Sequence, residues 1–314
     1  MYQFKLGKIG KTLESEANWL GAVALGVALL GIATASILIA IASTEMTPNA
    51  ITCDRLLIAT IVFSIWNTFQ LSEEQEIGRS TYTARAIFLL LIAGISFAIS
   101  LALWAWSLTQ TSIANSTLLN NMMPIFTTLG GWLVFRQQFS LRFLIGMAIA
   151  VLGAVAIGIE DLHVADSNLF GDTAALTAAA FSALSILTIE QLRVQFSTSV
   201  IMQWTSLAGG LFLLPLVFLT EGQLLPASNT SWLAVIGLGL VSQAVGQGLL
   251  TYSLAKFSSG FVAVSMLAIP VIAAILALGI FSEQLSLFNW LAFAVVLCGI
   301  YLAISAKDND SQLP

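Results

Sequence analysis

Charge is what this sequence has least of. Asp, Glu, Lys and Arg make up 9% of its 314 residues, against about 25% in a soluble globular domain. Most of the surface therefore cannot face water. Histidine is almost missing as well: His163 stands alone, which excludes a histidine-based triad or a multi-histidine metal site. The two cysteines differ in setting, Cys53 at the start of one apolar run and Cys298 deep inside another, so a structural disulfide is not expected. There is no glycine-rich phosphate loop, and no basic stripe interleaved with aromatics, so nucleic-acid binding has no support. No set of Ser, Thr and interfacial carboxylates converges on a catalytic constellation either. Neither a cofactor nor a metal is expected.

What is present in abundance is hydrophobic sequence, 58% of the chain, with a mean hydropathy of +0.94. Apolar runs of about 20 residues, the length that spans a bilayer core, recur throughout. Ten spans fit, near 19–43, 51–70, 86–109, 112–135, 141–159, 171–190, 200–219, 231–254, 258–281 and 286–305. The first, from Trp19 to Ala42, is too long for the h-region of a signal peptide, about 7–15 residues, and is read as a retained helix. The fold class is an all-α polytopic membrane protein. Basic residues fall on one side. With the N-terminus inside, Lys5, Lys8, Lys11, Arg79, Arg85, Arg136, Arg142, Arg193, Lys256 and Lys307 lie on inner segments, and only Arg55 lies outside. By the positive-inside rule both termini are cytoplasmic, and the bilayer is expected to be a cell (inner) membrane.

The chain is written twice. A shift of 146 positions carries Pro124 to Pro270, Phe135 to Phe281, Gln138 to Gln284, Ser140-Leu141 to Ser286-Leu287 and Gly153 to Gly299 without a gap. Each copy has an apolar segment with a central proline, a short polar turn and a second apolar segment. The organisation is a segment 1–18, a first repeat 19–159, an acidic linker 160–170, a second repeat 171–305 and a tail 306–314. Five helices per repeat, an odd number, bring the second copy in from the opposite side, so the repeats are inverted. Inverted repeats are a frequent transporter architecture.

Uncharged polar residues mark the spans. Ser112, Ser116 and Asn120 are four apart, with Thr117 and Asn121 beside them; Gln243, Gln247 and Thr251 repeat that spacing, as do Ser96, Ser100 and Trp104. Residues four apart share a helix face. An amide in hydrocarbon is costly without a partner, so each amide either bonds a neighbouring helix or lines a substrate path. For Asn120, Asn121, Gln243 and Gln247, near mid-depth on helices of opposite halves, the second reading is favoured. Pro124 and Pro270 kink their helices; each serves as a hinge or a packing device, or frees a carbonyl to bind substrate. No Asp, Glu, Lys or Arg falls near the middle of a span; Asp54, Arg55 and Glu283 are placed at interfaces. That favours a neutral or zwitterionic, partly apolar substrate.

The repeat with its central proline and its turns, Phe-Arg-Gln-Gln-Phe-Ser at 135–140 and Phe-Ser-Glu-Gln-Leu-Ser at 281–286, resembles the drug/metabolite transporter superfamily in its ten-helix EamA-type branch. The likeness covers about Trp19 to Ser305. The second copy keeps the family's glutamate as Glu283, the first has Gln137 in its place, and Arg55 in Cys-Asp-Arg-Leu-Leu looks like the family's arginine after the first outer loop. The resemblance implies a secondary carrier that exports amino acids or other small metabolites by alternating access, and is not an enzyme. A non-transporting scaffold or receptor on the same fold is the alternative. The expected substrate-binding residues are Asn120, Asn121, Ser116, Thr117, Gln243, Gln247, Trp104 and Ser100; the hinges are Pro124 and Pro270; coupling falls to Glu283, Asp54 and Arg55. The expected partners are a small-molecule substrate and the lipid bilayer, with no nucleic acid, in a monomer or homodimer.

Overall fold

The computed structural model describes residues 2–70, 82–111, 113–159, 169–220, 224–281 and 285–305, and among these all regular structure is helical. The elements in order are α1 (Tyr2–Ala42), α2 (Pro48–Gln70), α3 (Ala84–Gln110), α4a (Ile113–Asn120), α4b (Met123–Phe135), α5 (Leu141–Ile159), α6 (Leu169–Leu192), α7 (Thr198–Thr220), α8 (Asn229–Ser253), α9a (Ser259–Met266), α9b (Ala268–Phe281) and α10 (Leu287–Ile304). With α4a–α4b and α9a–α9b counted as one span each, nine helical segments among the described residues are long and apolar enough to cross a bilayer; another, Leu141–Ile157 within α5, is a shorter apolar helix. Hydroxyls start several helices. Thr83, Ser140, Ser228, Ser258 and Ser286 each accept from the backbone N–H three residues on, which satisfies a donor that the helix itself leaves free. Arg136, at φ 56°, ends α4b in a left-handed turn.

Large apolar side chains cover the outside of the bundle, among them Leu30, Ile61, Phe88, Leu152, Phe218, Leu233 and Leu297. In water this would be an aggregating surface; against lipid tails it costs nothing. Trp19, Trp66 and Trp132, all near span ends, are more than half exposed, as interfacial anchors should be.

Packing reproduces the duplication. A Cβ on Gly153 would strike the backbone nitrogen of Val296, and one on Gly299 would strike that of Ala150. Adding 146 turns 153 into 299 and 150 into 296. The two contacts between α5 and α10 are therefore one contact seen from both sides of a pseudo-twofold. Gly94 against Thr205 and Gly239 against Ile58 repeat the relation for α3–α7 and α8–α2, one residue out of register. The principal helix pairs also join the repeats: α3 lies on α6, α1 on α8, α2 on α7 and α5 on α10. The two sequence halves are interleaved rather than set side by side.

These glycines give a sharp test. Gly299→Ala drives a methyl into backbone of α5, and overpacking of this kind costs about 1–3 kcal/mol. A Cβ on Gly26 meets nothing within 4 Å, and in an open helix interior alanine is favoured by roughly 1 kcal/mol. Thermal unfolding in detergent should fall for Gly299→Ala and hold or rise for Gly26→Ala.

Candidate functional site

Membrane helices keep their backbone hydrogen bonds closed, and irregular backbone is tolerated where it is buried in protein or lines a cavity. Among the described residues three such segments interrupt the spans. The fourth span breaks at Asn121–Met122 and the ninth at Leu267, and 121 + 146 is 267. Pro124 enters as the second residue of α4b and Pro270 as the third of α9b. Neither has an N–H to offer the carbonyl four residues back. The sequence suggested kinked continuous helices; the structure divides each into two. The third irregular segment is a π-helical stretch, Leu238–Gln247, in the middle of α8. It contains Gly239 and Gly246, which meet backbone atoms of α2 and α1, so the widened turn lies tightly against its neighbours. Such π segments frequently mark functional sites.

Three of the buried polar atoms without protein partners lie on α3 and at the α4 break. Asn120 Oδ1 and Asn121 Nδ2 are buried and unbonded, as is Trp104 Nε1 on α3. Ser107 and Ser116 bond hydroxyl to hydroxyl across the α3–α4a turn and fix the relative level of the two helices. Trp104 lies three residues below that bond on α3, and Asn120 four residues beyond it on α4a. At 1.5 Å per residue they differ in depth by only about 1.5 Å. Trp106, by contrast, is 47% exposed and faces outward.

Arg55 and Gln243 meet between α2 and α8. The Arg55 Nη2 donates to Gln243 Oε1 at 2.9 Å, linking α2 to the π segment of α8. The guanidinium carbon stands 5.8 Å from the centre of the Phe97 ring on α3. Phe97 and Gln243 are equivalent positions of the two repeats (97 + 146 is 243). A group that touches a residue and its symmetry mate lies close to the pseudo-twofold, and in inverted repeats that axis runs in the membrane plane. Phe97 is also the middle residue of α3 (Ala84–Gln110). Although its Cα sits in the third turn of α2, Arg55 thus carries its charge to mid-depth. This corrects the expectation that the middle of the membrane is free of charge: a long side chain reached inward from near the end of a span. An arginine at a helix centre costs about 2.5–3.5 kcal/mol on insertion scales.

The remaining candidates divide. Ser100 Oγ and Ser182 Oγ share a hydrogen bond of 2.6 Å, and Ser185 Oγ donates to the Ala93 carbonyl at 2.8 Å, so this part of α3 is stitched to α6. Ser116 is occupied with Ser107. Thr117 and Gln247 are half-buried. Asp54 is 6% exposed with no partner for Oδ2. Glu283 lies outside the described residues. Two polar links escaped the sequence reading. Asn67 Nδ2 donates to Gln203 Oε1 at 2.6 Å and Gln203 Nε2 to Ser64 Oγ at 3.0 Å, between α2 and α7. Glu190 accepts from Gln137 Nε2 at 3.3 Å and from the Ser259 N–H at 3.1 Å, tying the ends of α6 and α4b to the start of α9a. That link explains why the first repeat has Gln137 where the second has Glu283. A glutamate at 137 would face the Glu190 carboxylate, whereas the position equivalent to Glu190 in the first repeat is Thr44 (190 − 146).

Removing an amide that bonds no protein group should leave stability intact and weaken ligand binding. Asn120→Ala and Asn121→Ala are expected to keep the wild-type unfolding temperature. Half-saturation for transport should rise roughly threefold to tenfold, the value of one hydrogen bond of about 0.5–1.5 kcal/mol. Gln247→Ala should behave likewise. Ser107→Ala should instead lower the unfolding temperature.

Known proteins agree with this architecture. A solved crystal structure superposes with a TM-score of 0.76 over 92% of this chain and 97% of its own, at 16% identity, which is a likeness of fold. Among curated proteins, the uncharacterized transporter YetK of Bacillus subtilis (strain 168) is 24% identical over 246 residues, 76% of this chain and 74% of that protein. An uncharacterized transporter of Helicobacter pylori (strain J99) is 25% identical over 210 residues, 64% and 68% of the two chains. The EamA-like transporter family matches twice, over residues 19–159 and 169–305, once for each repeat. An all-helical membrane bundle, duplicated about a pseudo-twofold and matched by family along both copies, belongs to the EamA-like transporters.

Proposed function

We propose that this protein is a secondary transporter that exports small metabolites, amino acids or related neutral, zwitterionic or partly apolar compounds, by alternating access. It carries out no chemical conversion. The observation that carries the reading is the set of buried, unbonded polar atoms at the α4 break, Asn120 Oδ1, Asn121 Nδ2 and Trp104 Nε1. An unmade hydrogen bond in a buried site costs about 1–3 kcal/mol, so these atoms gain from partners that the protein does not give them. A solute passing through would supply them. Asn120, Asn121, Gln243 and Gln247 then line one central cavity, with Trp104 and Thr117 at its wall, while Ser100 and Ser116 hold the helices that frame it.

The basic residues support one orientation. Residue 19 and residue 305 face the cytoplasm of the cell's inner membrane, and the α3–α4a turn and the Glu45 loop face outside. The protein works as a monomer or homodimer in the bilayer, with a small molecule as its partner and no nucleic acid. The packing supports one choice of moving units. Helix α1 lies on α8 and α9b, and α6 lies on α3 and α4; the 146-residue register exchanges these two groups. Rocking between them, rather than between residues 19–159 and 171–305, opens one face as it closes the other. The breaks beside Pro124 and Pro270 absorb the bend. Coupling, where an ion is used, falls to Asp54, Arg55 and Glu283.

Proteoliposomes holding the purified chain provide the test. Uptake and efflux of a panel of amino acids, sugars and aromatic amines, with and without a pH gradient, should show saturable movement of at least one class. Single cysteines near Thr111 and near Arg136, in a background without Cys53 and Cys298, should then change labelling in opposite senses when that solute is added. A protein that moves nothing, or whose two ends both ignore a transported solute, would contradict the proposal.

A further inference from the structure

The transporter reading leaves open what chemistry the solute must present to the centre of the bundle, and Arg55 answers it. The side chain is 5% exposed, its Nε is buried without a partner, and Gln243 supplies the protein acceptor that Nη2 uses. Among the described residues no carboxylate shares an ion pair with it. Asp54, the next residue back, points about 100° away around the helix, and its buried Oδ2 is likewise unbonded. A full positive charge therefore stands at mid-depth with one neutral acceptor and one aromatic face.

The donor count sets the ligand. A guanidinium has donors and no acceptor, and it cannot be deprotonated in a protein. Gln243 must turn its carbonyl oxygen toward Arg55, so its amide nitrogen, a donor only, is the end left for anything else. The Phe97 ring, 5.8 Å from the guanidinium carbon, attracts the charge through its π face but accepts no conventional hydrogen bond, so it does not use up the oxyanion-binding donors. What remains is an edge of donors around a cation: the complement of a planar oxyanion, which a guanidinium grips through paired N–H bonds. The position adds to the case. At the pseudo-twofold, between equivalent residues of the two repeats, the group is reached equally from both faces of the membrane as the helices rock.

Resting on the transporter reading, we propose that Arg55 is the residue that binds the acidic group of the transported solute, a carboxylate, and that Gln243 positions it. The solute is thereby defined as a small acid or zwitterion rather than a cation or an uncharged sugar. Gln243 holds the guanidinium in the empty state and yields one of its edges when the carboxylate arrives.

The experiment compares matched pairs in proteoliposomes and in detergent: amino acids, 2-oxo acids and aromatic carboxylates, each against its own carboxamide. Transport competition and ligand-induced thermal shifts both report affinity. Wild type should prefer the acid over its amide by at least tenfold. Arg55→Gln should abolish that preference, and Arg55→Lys should keep part of it. Gln243→Glu is the telling variant: it gives Arg55 an internal carboxylate, so acids should bind at least tenfold more weakly while the unfolding temperature does not fall. If the variants transport and still prefer acids as wild type does, or if wild type prefers amides or amines, Arg55 is not the acid site and the transporter reading survives. If wild type neither binds nor moves any compound of this or the wider panel, the transporter reading falls and this inference with it.

Discussion

Inside a bilayer there is no water to take up an unmade hydrogen bond, so every buried polar group must find its partner within the protein or in a ligand. The whole structure can be followed from that one constraint. Backbone groups close into helices. Hydroxyls return to carbonyls in their own helix, as Thr60, Thr127, Thr205 and Ser265 do, or reach to a neighbour, as Ser185 does to Ala93. Glycines let helices approach until backbone meets backbone at Gly94, Gly146 and Gly299. Against that background three exceptions stand out, a broken α4 with two unbonded asparagine atoms, a π segment in α8, and an arginine with a single neutral acceptor; other unbonded buried atoms occur on Asp54, Gln137, Arg193, Ser206 and Ser259.

The scaffold is symmetric and its chemistry is not. Gly153 and Gly299 make the same contact, and the breaks at 121 and 267 coincide in the repeat register. Yet the amides of the α4 break correspond to Met266 and Leu267 in the second copy, and Gln243 corresponds to Phe97. Gln137 shows how a copy departs when its surroundings change: it bonds the Glu190 carboxylate, and the first-repeat position equivalent to Glu190 is Thr44. On the proposed mechanism, equivalent helices would exchange shapes while an asymmetric site holds the solute in one orientation.

The fold was largely readable because lipid leaves few choices. Apolar length, the proline and glycine that recur after 146 residues, and basic residues confined to alternate segments are all one-dimensional signals. The site was half readable. Asn120, Asn121 and Gln243 stood out because an amide in hydrocarbon is conspicuous wherever it sits. Arg55 was misplaced because sequence gives the position of a Cα, and a guanidinium reaches well beyond it toward the middle of the membrane. Ser100 and Asn120 look alike in a polar stripe, and only packing shows that one has Ser182 as partner while the other keeps an unbonded oxygen. The π segment left only a hint in Gly237, Gly239, Gly246 and Gly248, since its backbone register depends on how α1 and α2 press on it. Glu190 and Gln137 lie 53 residues apart, and no local pattern joins them.

The account depends on the α4 break facing a space that water and solute enter. That can be measured directly with a single cysteine at position 121, in a chain with Cys53 and Cys298 replaced, exposed to a membrane-impermeant thiol reagent from each side in turn. Reaction is expected from at least one aqueous side, slowed by a transported solute, at a depth where cysteines on the lipid-facing positions Leu211 and Ile236 stay unreactive. A cysteine at 121 as inert as those two from both sides would show a sealed helix seam, and the central site would not exist.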